Sequence, residues 1–257
     1  MRIRPDVELA NLTDLGVRRE QNEDYFLYIE PESDEEFATK GRLLLVADGM
    51  GGHNGGEVAS GIAAAALREA FLSANREDPS TILVRGFSQA QQEIVARGRE
   101  AGNLDGMGTT CTAVILRNGE LSYRHIGDSR LYLLRDGVLT QLTEDHTLVH
   151  QLVKGGALSK DEAAAYGQKN VLTAALGMRS DEVPADFSTV PLALEPGDTL
   201  IVSSDGLHGV ISDGEIAPIA DSKSPDDACH ALLNLAIERG APDNITVQIL
   251  RVVTVAQ

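Results

Sequence analysis

The sequence predicts an α+β fold in which helices pack against the outer faces of antiparallel sheets. Two observations lead to this prediction. Strand-like residues flank the turn dipeptides Asn118-Gly119 and Asp136-Gly137, a pattern typical of antiparallel hairpins. Residues at helical spacing come in blocks and do not alternate with single strands, as they would around a doubly wound parallel sheet.

In the first half of the chain, strands give way to a pair of helices. Residues 7–16 and 25–29 are predicted strands, the acidic segment 30–36 is a predicted loop, and the apolar run 43–47 is a predicted buried strand. Two amphipathic helices follow, with apolar faces at Val58, Ile62, Ala63, Ala66, Leu67, Ala70 and Phe71 and at Leu83, Phe87, Ala90 and Ile94.

The second half is predicted to contain mainly antiparallel strands. Residues 108–135 read as a meander through the hairpin at Asn118-Gly119, with residues 131–134 as its next strand. A short helical excursion is expected over 146–166 and an irregular loop over 169–177. A buried strand over 199–203, a helix through 228–236 and an alternating strand from 245 to 249 complete the chain.

Composition restricts the classes of function that the chain can have. With 257 residues and 42% hydrophobic content, residues 1–257 can form a single domain with one large core. The net charge of −17 argues against binding to nucleic acid or to an anionic membrane. The N-terminus lacks the apolar stretch of a signal peptide, no apolar run could span a membrane, and two isolated cysteines suggest buried thiols. We therefore expect a cytoplasmic protein.

Two of the predicted buried strands run into an Asp-Gly dipeptide, Asp48-Gly49 and Asp205-Gly206. An aspartate at the end of an apolar strand lies at the rim of the core, and the glycine lets the main-chain carbonyl approach a cation beside the carboxylate. Asp-Gly is also a hairpin signal. That alternative does not suit Asp48, because the glycine-rich segment 50–56 and then a helix follow it.

Further carboxylates stand where other predicted strands begin or end, namely Glu23, Asp24, Asp128 and Asp243. Clustered carboxylates repel one another, so a stable cluster implies bound cations. Ligands that are all oxygen favour Mg²⁺ or Mn²⁺ over zinc. A pair of such ions can acidify a bridging water for attack on phosphorus, which suggests phosphoester hydrolysis.

Six short motifs occur in order along almost the whole chain: Arg19-x-x-Asn22-Glu23-Asp24, Asp48-Gly49-Met50-Gly51-Gly52-His53, Gly108-Thr109-Thr110, Gly127-Asp128-Ser129-Arg130, Ser204-Asp205-Gly206 and Asp243-Asn244. Together they resemble the motifs of metal-dependent type-2C serine/threonine protein phosphatases, in their bacterial form. The resemblance implies two packed antiparallel β-sheets flanked by α-helices, a four-layer α-β-β-α sandwich.

The same resemblance implies metal-binding roles for Glu23, Asp24, Asp48, Gly49, Asp128, Asp205 and Asp243. Asp48 would bridge two Mn²⁺ or Mg²⁺ ions, and the Gly49 carbonyl would bind one of them. Asp205 and Asp243 would complete the other ion. Asp128 resembles the residue that holds a third ion in bacterial members.

The remaining roles are supporting or catalytic. Glu23 would serve the ion on the Gly49 side, directly or through water, and Asp24 would support the cluster as a ligand or an acceptor. Arg19 would clamp the substrate phosphate with its guanidinium. Animal relatives carry a histidine, the proposed general acid, where this chain has Met50, which cannot donate a proton. His53 and metal-bound water are the competing candidates for the acid, and His53 could instead be a loop anchor.

The sequence thus predicts a phosphoprotein phosphatase that hydrolyses phosphoserine and phosphothreonine by direct attack of a metal-bridging water, with no phosphoenzyme. Its expected partners are phosphorylated proteins and a cognate bacterial serine/threonine kinase that it opposes, with no nucleic-acid or membrane partner, and we expect a monomer. Two alternatives remain open at this point. One is a catalytically silent pseudophosphatase that binds phosphoproteins, and the other is a phosphatase of anti-sigma-factor antagonists.

Overall fold

The computed structural model describes residues 3–51, 55–101, 104, 106–164, 166–168, 170–178, 186–187 and 191–255. The elements, in chain order, are β1 (Val7–Asp14), β2 (Asp24–Ile29), α1 (Asp34–Lys40), β3 (Arg42–Met50), α2 (Gly55–Ser73), α3 (Pro79–Ala101), β4 (Gly108–Thr109), β5 (Cys111–Arg117), β6 (Glu120–Ile126), β7 (Arg130–Arg135), β8 (Val138–Gln141), α4 (Leu148–Lys154), α5 (Lys160–Ala164), β9 (Asp186–Phe187), β10 (Leu192–Ala193), β11 (Thr199–Ser203), α6 (Asp205–His208), α7 (Asp213–Ser222), α8 (Pro225–Glu238) and β12 (Ile245–Val252).

Within these residues the strands form two antiparallel sheets. One sheet has the order β1-β12-β11-β7-β8, and the other has the order β10-β6-β5-β3-β2, with β4 paired to β3 and β9 paired to β6. The N-terminal strand β1 and the C-terminal strand β12 pair along their whole lengths, so the two ends of the chain close the first sheet.

Three apolar layers hold the sheets and helices together. The middle layer lies between the sheets, where Leu44 and Val46 of β3 pack with Val202 of β11 and Leu250 of β12. A second layer joins the β3 sheet to α2 and α3, and a third joins the β12 sheet to α7 and α8. Burial of these side chains is the main favourable term in the stability of the fold. The arrangement confirms the predicted α-β-β-α sandwich.

The two predicted hairpins are present and have the turn geometry that their sequences favour. Asn118 and Gly119 have φ angles of 54° and 75°, and Asp136 and Gly137 have φ angles of 51° and 74°. Positive φ at both central residues is the type I′ turn, whose twist matches that of the flanking strands. Local turn chemistry therefore sets the register of β5 with β6 and of β7 with β8.

Two predicted elements were wrong. The acidic segment 30–36 is not all loop, because α1 begins at Asp34 with Ser33 as its N-cap, and acidic residues in the first turn favour a helix start. The strand at residues 131–134 does not continue the meander. It is β7, which pairs with β8 and β11 in the other sheet, so the chain changes sheets after Ile126. An alternating pattern reports a strand but not its partner.

Two further helices were missed, and the end of the strand predicted at residues 43–47 was misplaced. Helix α7 carries a capping box between Ser212 and Glu215, a signal that is visible in the sequence. Helix α6 is only four residues long and leaves no periodic pattern. Strand β3 continues past Asp48 to Met50, because its last residues pair with β4. Asp48 is therefore near the end of its strand and not at it.

Cys111 and Cys229 are both buried free thiols, as expected. In the part of the chain that is described, none of the helices combines the length and the apolar character needed to cross a membrane.

His125 is a fully buried histidine on β6. Its Nδ1 lies 2.8 Å from Thr112 Oγ1 and its Nε2 lies 3.2 Å from the carbonyl oxygen of Glu144. Burial penalises the imidazolium and lowers the pKa of His125 to about 3. Between about pH 6.5 and pH 3, the unfolded chain therefore binds a proton at this residue that the folded chain excludes.

We expect His125→Gln to reduce the acid sensitivity of the fold. Because the folded-state pKa lies below the unfolded value, stability is fully present above about pH 6.5 and is lost as the pH falls towards 3. Urea denaturation measures the free energy of unfolding at pH 7 and at pH 5. The fall in this free energy between the two pH values should be smaller by about 1–2 kcal/mol in His125→Gln than in wild type. The exposed His230→Gln is the control, and equal losses in the two variants would contradict this assignment.

Candidate active site

The predicted site residues meet in a cleft of about 380 Å³. Those that line it are Arg19, Glu23, Asp48, Gly49, Asp128, Asp205 and Asp243. Asp24 is buried directly beside Asp48, because the two residues are cross-strand partners in the pairing of β2 with β3. His53 lies outside the described residues, and its role stays a prediction. Met50 also lines the cleft.

The backbone of Asp48 is held by two threonines that precede β5. Thr110 Oγ1 lies 2.9 Å from the Asp48 nitrogen, which donates a hydrogen bond to it. The Asp48 carbonyl accepts hydrogen bonds from the Thr110 nitrogen and the Thr109 hydroxyl, each at 2.9 Å. The Gly-Thr-Thr motif therefore fixes the position of the central carboxylate.

The glycines of the two Asp-Gly dipeptides are required by close backbone packing. A Cβ on Gly49 would collide with the carbonyl of Gly56 at the start of α2, and a Cβ on Gly206 would collide with the carbonyl of Asn244. The Gly49 nitrogen also donates to the Glu23 carbonyl at 3.1 Å. Each glycine thus lets a distant segment approach the carboxylate beside it.

Asp24 is fixed by a hydroxyl group at the end of a strand in the opposite sheet. Ser204 Oγ donates to Asp24 Oδ2 at 2.7 Å, and the Thr246 nitrogen donates to Ser204 Oγ at 2.9 Å. Ser204 comes directly after β11 and is followed by Asp205, the first residue of α6. This network ties the end of β2 to the end of β11, and with it Asp24 to Asp205.

Asn244 is a positioning residue to which the sequence assigned no separate role. Its Oδ1 accepts from the Glu23 nitrogen at 2.8 Å, and its Nδ2 donates to the carbonyls of Leu15 and Gln21 at 3.0 Å each. The Asn244 nitrogen donates to Asp243 Oδ1 at 2.8 Å. One amide side chain thus joins the segments that carry Glu23 and Asp243. Its position after Asp243 in a predicted motif was the only signal for it.

Arg19 is the cation that faces this acidic cleft from the segment before β2. Its Nη2 donates to Asp243 Oδ2 at 2.6 Å, and 46% of its side chain is exposed. The hydrogen bond to Asp243 raises the pKa of Arg19. The guanidinium is therefore charged and can turn towards a ligand in the cleft.

Asp128 lies in the turn where the chain changes from one sheet to the other. The neighbouring Ser129 Oγ is 2.7 Å from Thr110 Oγ1, the atom that accepts the hydrogen bond from the Asp48 nitrogen. The Asp128 carbonyl oxygen is 3.0 Å from His208 Nε2. Arg130 makes two hydrogen bonds, of 2.9 and 2.7 Å, to the Asp145 carboxylate. Arg130 thus pairs with a carboxylate outside the cleft lining, and Ser129 is a structural residue of the turn.

The four central carboxyl groups have pKa values raised above the ordinary range. Burial is the largest cause for each of Asp24, Asp48, Asp128 and Asp205, and repulsion from neighbouring carboxylates adds to it. Burial also raises the pKa of Glu23. Concentrated negative charge of this kind is costly unless protons or cations neutralise it.

The residues at the cleft suit a hard divalent cation. The donors are carboxylate and carbonyl oxygens, and Asp24 Oδ1 and Asp205 Oδ1 are buried without a hydrogen-bond partner. No three acidic, histidine or cysteine side chains among the residues described already stand in a metal-ligand arrangement. The oxygen donors and the two carboxylate atoms without a partner are the features that suit a cation here.

We expect Asp48→Asn to stabilise the protein in the absence of divalent ions. A folded-state pKa above the unfolded value means that this carboxyl group destabilises the fold increasingly as the pH rises above about 4. Chelator-stripped Asp48→Asn should have a higher free energy of unfolding than wild type at pH 8, and the gain should be smaller at pH 5. The exposed Asp221→Asn is the control. Destabilisation by Asp48→Asn at pH 8 would show that the buried Asp48 carboxylate does not lower the stability of the metal-free protein.

Comparison with known proteins identifies the family. Residues 20–235 match the family described as protein phosphatase 2C. A putative protein phosphatase 2C-type of Streptococcus pyogenes is 38% identical, with 95% of this chain and 97% of that protein covered. The serine/threonine phosphatase stp of Listeria monocytogenes is 37% identical, with 91% and 92% covered.

Solved structures agree with these relatives. The serine/threonine phosphatase PstP/Ppp of Mycobacterium tuberculosis superimposes with a TM-score of 0.85 at 35% identity, and 96% of this chain and 99% of that chain are covered. The catalytic domain of PstP in complex with two manganese ions has a TM-score of 0.82 at 35% identity, with 96% and 98% covered. The chain therefore belongs to the protein phosphatase 2C family, a family of metal-dependent phosphatases, as its six motifs predicted.

Proposed function

We propose that this protein is a metal-dependent phosphatase that hydrolyses phosphoserine and phosphothreonine in proteins. The observation that carries the proposal is the convergence of buried carboxylates with raised pKa values on one cleft that also holds a guanidinium. Perturbed acids around a cleft are typical of a site built for cations and phosphate. The relatives named as serine/threonine phosphatases support the same reaction.

We infer that the carboxylate cluster holds two Mn²⁺ or Mg²⁺ ions, with Asp48 shared between them. The Gly49 carbonyl and Glu23 would serve one ion, and Asp205 and Asp243 the other. Asp24 would support them and Asp128 would hold a third. The two manganese ions in the PstP structure support this number for the core site. When bound, such ions would acidify a water into a nucleophile and neutralise charge on the phosphate.

Arg19 is the residue best placed to bind the phosphate. A guanidinium offers two parallel donors to two phosphate oxygens, and such a pair stabilises the charge that develops in phosphoryl transfer. Its present partner, Asp243, lines the same cleft, so the guanidinium already stands at the edge of the site where a phosphate would bind.

Direct hydrolysis is favoured over a covalent route. Among the described residues that line the cleft, the hydroxyl of Thr110 is already bonded to Ser129 and to the Asp48 nitrogen. Cys111 and Cys229 are buried, and their thiol pKa values are raised by burial. A thiol that is neutral and buried is a poor nucleophile.

We also propose that the whole chain is one catalytic domain that works as a monomer in the cytoplasm and opposes a serine/threonine kinase. The two buried free thiols agree with a reducing compartment. The pairing of β1 with β12 joins the two ends of the chain within one sheet, which supports a single folding unit. A further candidate, the phosphatase of anti-sigma-factor antagonists, has no specific support in the contacts described.

The first test is phosphate release from a phosphothreonine peptide by chelator-stripped protein, with and without Mn²⁺. We expect release that requires the metal and falls at least about a hundredfold in Asp205→Ala, because a buried carboxylate of the ion site is lost. Asp221→Ala, exposed on α7, is the matched control and should keep full activity. No release from folded, metal-loaded wild type would favour the phosphoprotein-binding regulator instead.

Arg19→Ala should chiefly weaken substrate binding. We expect the KM for a phosphopeptide to rise about tenfold or more, since a charge-assisted contact to phosphate is lost. The neighbouring exposed Arg18→Ala should leave KM unchanged. Steady-state kinetics at saturating Mn²⁺ measure both variants, and an unchanged KM in Arg19→Ala would count against the phosphate clamp.

A further inference from the structure

We propose that a methionine-lined pocket beside the cleft binds an apolar side chain of the substrate protein, near its phosphorylated residue. This proposal rests on the phosphatase function proposed above and concerns which sequences the enzyme prefers. The pocket, here called the methionine pocket, has a volume of about 190 Å³ and is formed chiefly by Met50, Met107, Met178, Ile94 and Val95. It contains three of the four methionines in the chain.

The methionine pocket is continuous with the catalytic cleft. Met50 and Met178 line both, and Met50 stands two residues after Asp48 on β3. A peptide whose phosphoryl group lies at the carboxylate cluster can therefore place a flanking side chain in the methionine pocket. This continuity identifies the occupant as part of the substrate.

The rim of the pocket is held in place from two sides. Gln91 of α3 accepts from the Gly177 nitrogen at 2.7 Å and donates to the Met178 carbonyl at 2.8 Å. Leu176 exchanges two backbone hydrogen bonds with Thr109, at 2.9 and 3.0 Å. The backbone that carries Met178 is thus tied to both α3 and β4, and the pocket is already formed before a ligand arrives.

Gly177 makes this close packing possible. It has φ of +92°, and a Cβ there would meet the carbonyl oxygen of Met107 and the Cγ2 of Ile94. A larger residue would push the rim away from α3 and open the pocket. The hollow therefore depends on a local geometry that glycine alone adopts readily.

The lining favours apolar side chains of more than one shape. Ile94 and Met107 form a floor that is only 1% and 3% exposed, respectively, and the rim consists of Met50, Val95 and Met178. Methionine is flexible and polarisable, so surfaces rich in it adapt to different aliphatic or aromatic partners. A cavity of about 150 Å³ with an apolar lining accepts a benzene ring, so this one suits a single leucine-sized or phenylalanine-sized group.

A charged residue at the rim adds a second preference. Arg99, on the last turn of α3, is exposed at the edge of the methionine pocket. The protein as a whole has a net charge of −17 and would repel an acidic peptide. Arg99 provides positive charge at this one place, so it can attract an acidic substrate residue. The preferred substrate therefore has an apolar residue, with an acidic one beside it, close to the phosphorylated position.

A set of phosphothreonine peptides tests the proposal. In an alanine background, a single leucine is moved from five residues before the phosphothreonine to five residues after it, and p-nitrophenyl phosphate serves as a substrate without flanking residues. We expect kcat/KM to rise about tenfold or more for leucine at one or two positions, the discrimination typical of an apolar pocket.

Val95→Glu places a charge in the methionine pocket without touching a cleft residue. It should lower kcat/KM for the preferred leucine peptide about tenfold, to the value for the alanine peptide, and leave hydrolysis of p-nitrophenyl phosphate unchanged. The control is Val84→Glu, the same substitution on the same helix at a position that is 45% exposed, and it should keep the preference. If Val95→Glu does not fold, Arg99→Glu provides the second test. It should abolish any preference for an aspartate beside the leucine, whereas Arg97→Glu should not.

The outcomes separate the two proposals. One outcome is that wild type hydrolyses p-nitrophenyl phosphate and yet shows the same kcat/KM for every leucine position. That result would overturn the proposed role of the methionine pocket and leave the phosphatase function standing. Equal leucine preferences in Val95→Glu and Val84→Glu would overturn it as well. Failure of metal-loaded wild type to hydrolyse either kind of substrate would refute the phosphatase function and, with it, the pocket's role.

Discussion

Mutual repulsion of carboxylates at the end of the two sheets is the constraint on which the site depends. Asp24 and Asp48 face each other across β2 and β3. Asp205 at the start of α6 and Asp128 in the turn before β7 add further negative charge. Burial raises all four pKa values because water is excluded. A fold under no functional demand would not gather these groups, so the rest of the structure can be understood as what holds them together.

Uncharged hydrogen-bonding groups provide that support. Thr110, Ser204 and Asn244 each come from a different part of the chain, and each satisfies a backbone or carboxylate atom of an acidic residue. None of them adds charge to the cluster. Their hydrogen bonds are local, but the segments they connect are far apart in sequence, so the site forms only when both sheets are in place.

The same local packing links the carboxylate cluster to the methionine pocket. Strand β3 carries Asp48 and then Met50, and β4 pairs with the end of β3 while also anchoring Leu176. The position of the catalytic carboxylate and the shape of the neighbouring apolar hollow are therefore set by one piece of sheet. The chemistry and the choice of substrate can be built on this common scaffold, with charge on one side and flexible apolar side chains on the other.

Local patterns in the sequence predict the fold class, the two hairpins and the identity of the acids, because turn chemistry, apolar periodicity and short motifs are local properties. The sequence also placed Arg19 in the site through its motif. Tertiary structure alone decided that β7 joins the sheet opposite β6, that Arg19 pairs with Asp243, and that Asn244 connects Glu23 to the end of the chain. It also brought the three methionines together. Each of these is a contact between residues distant in sequence, and a local pattern does not name a distant partner.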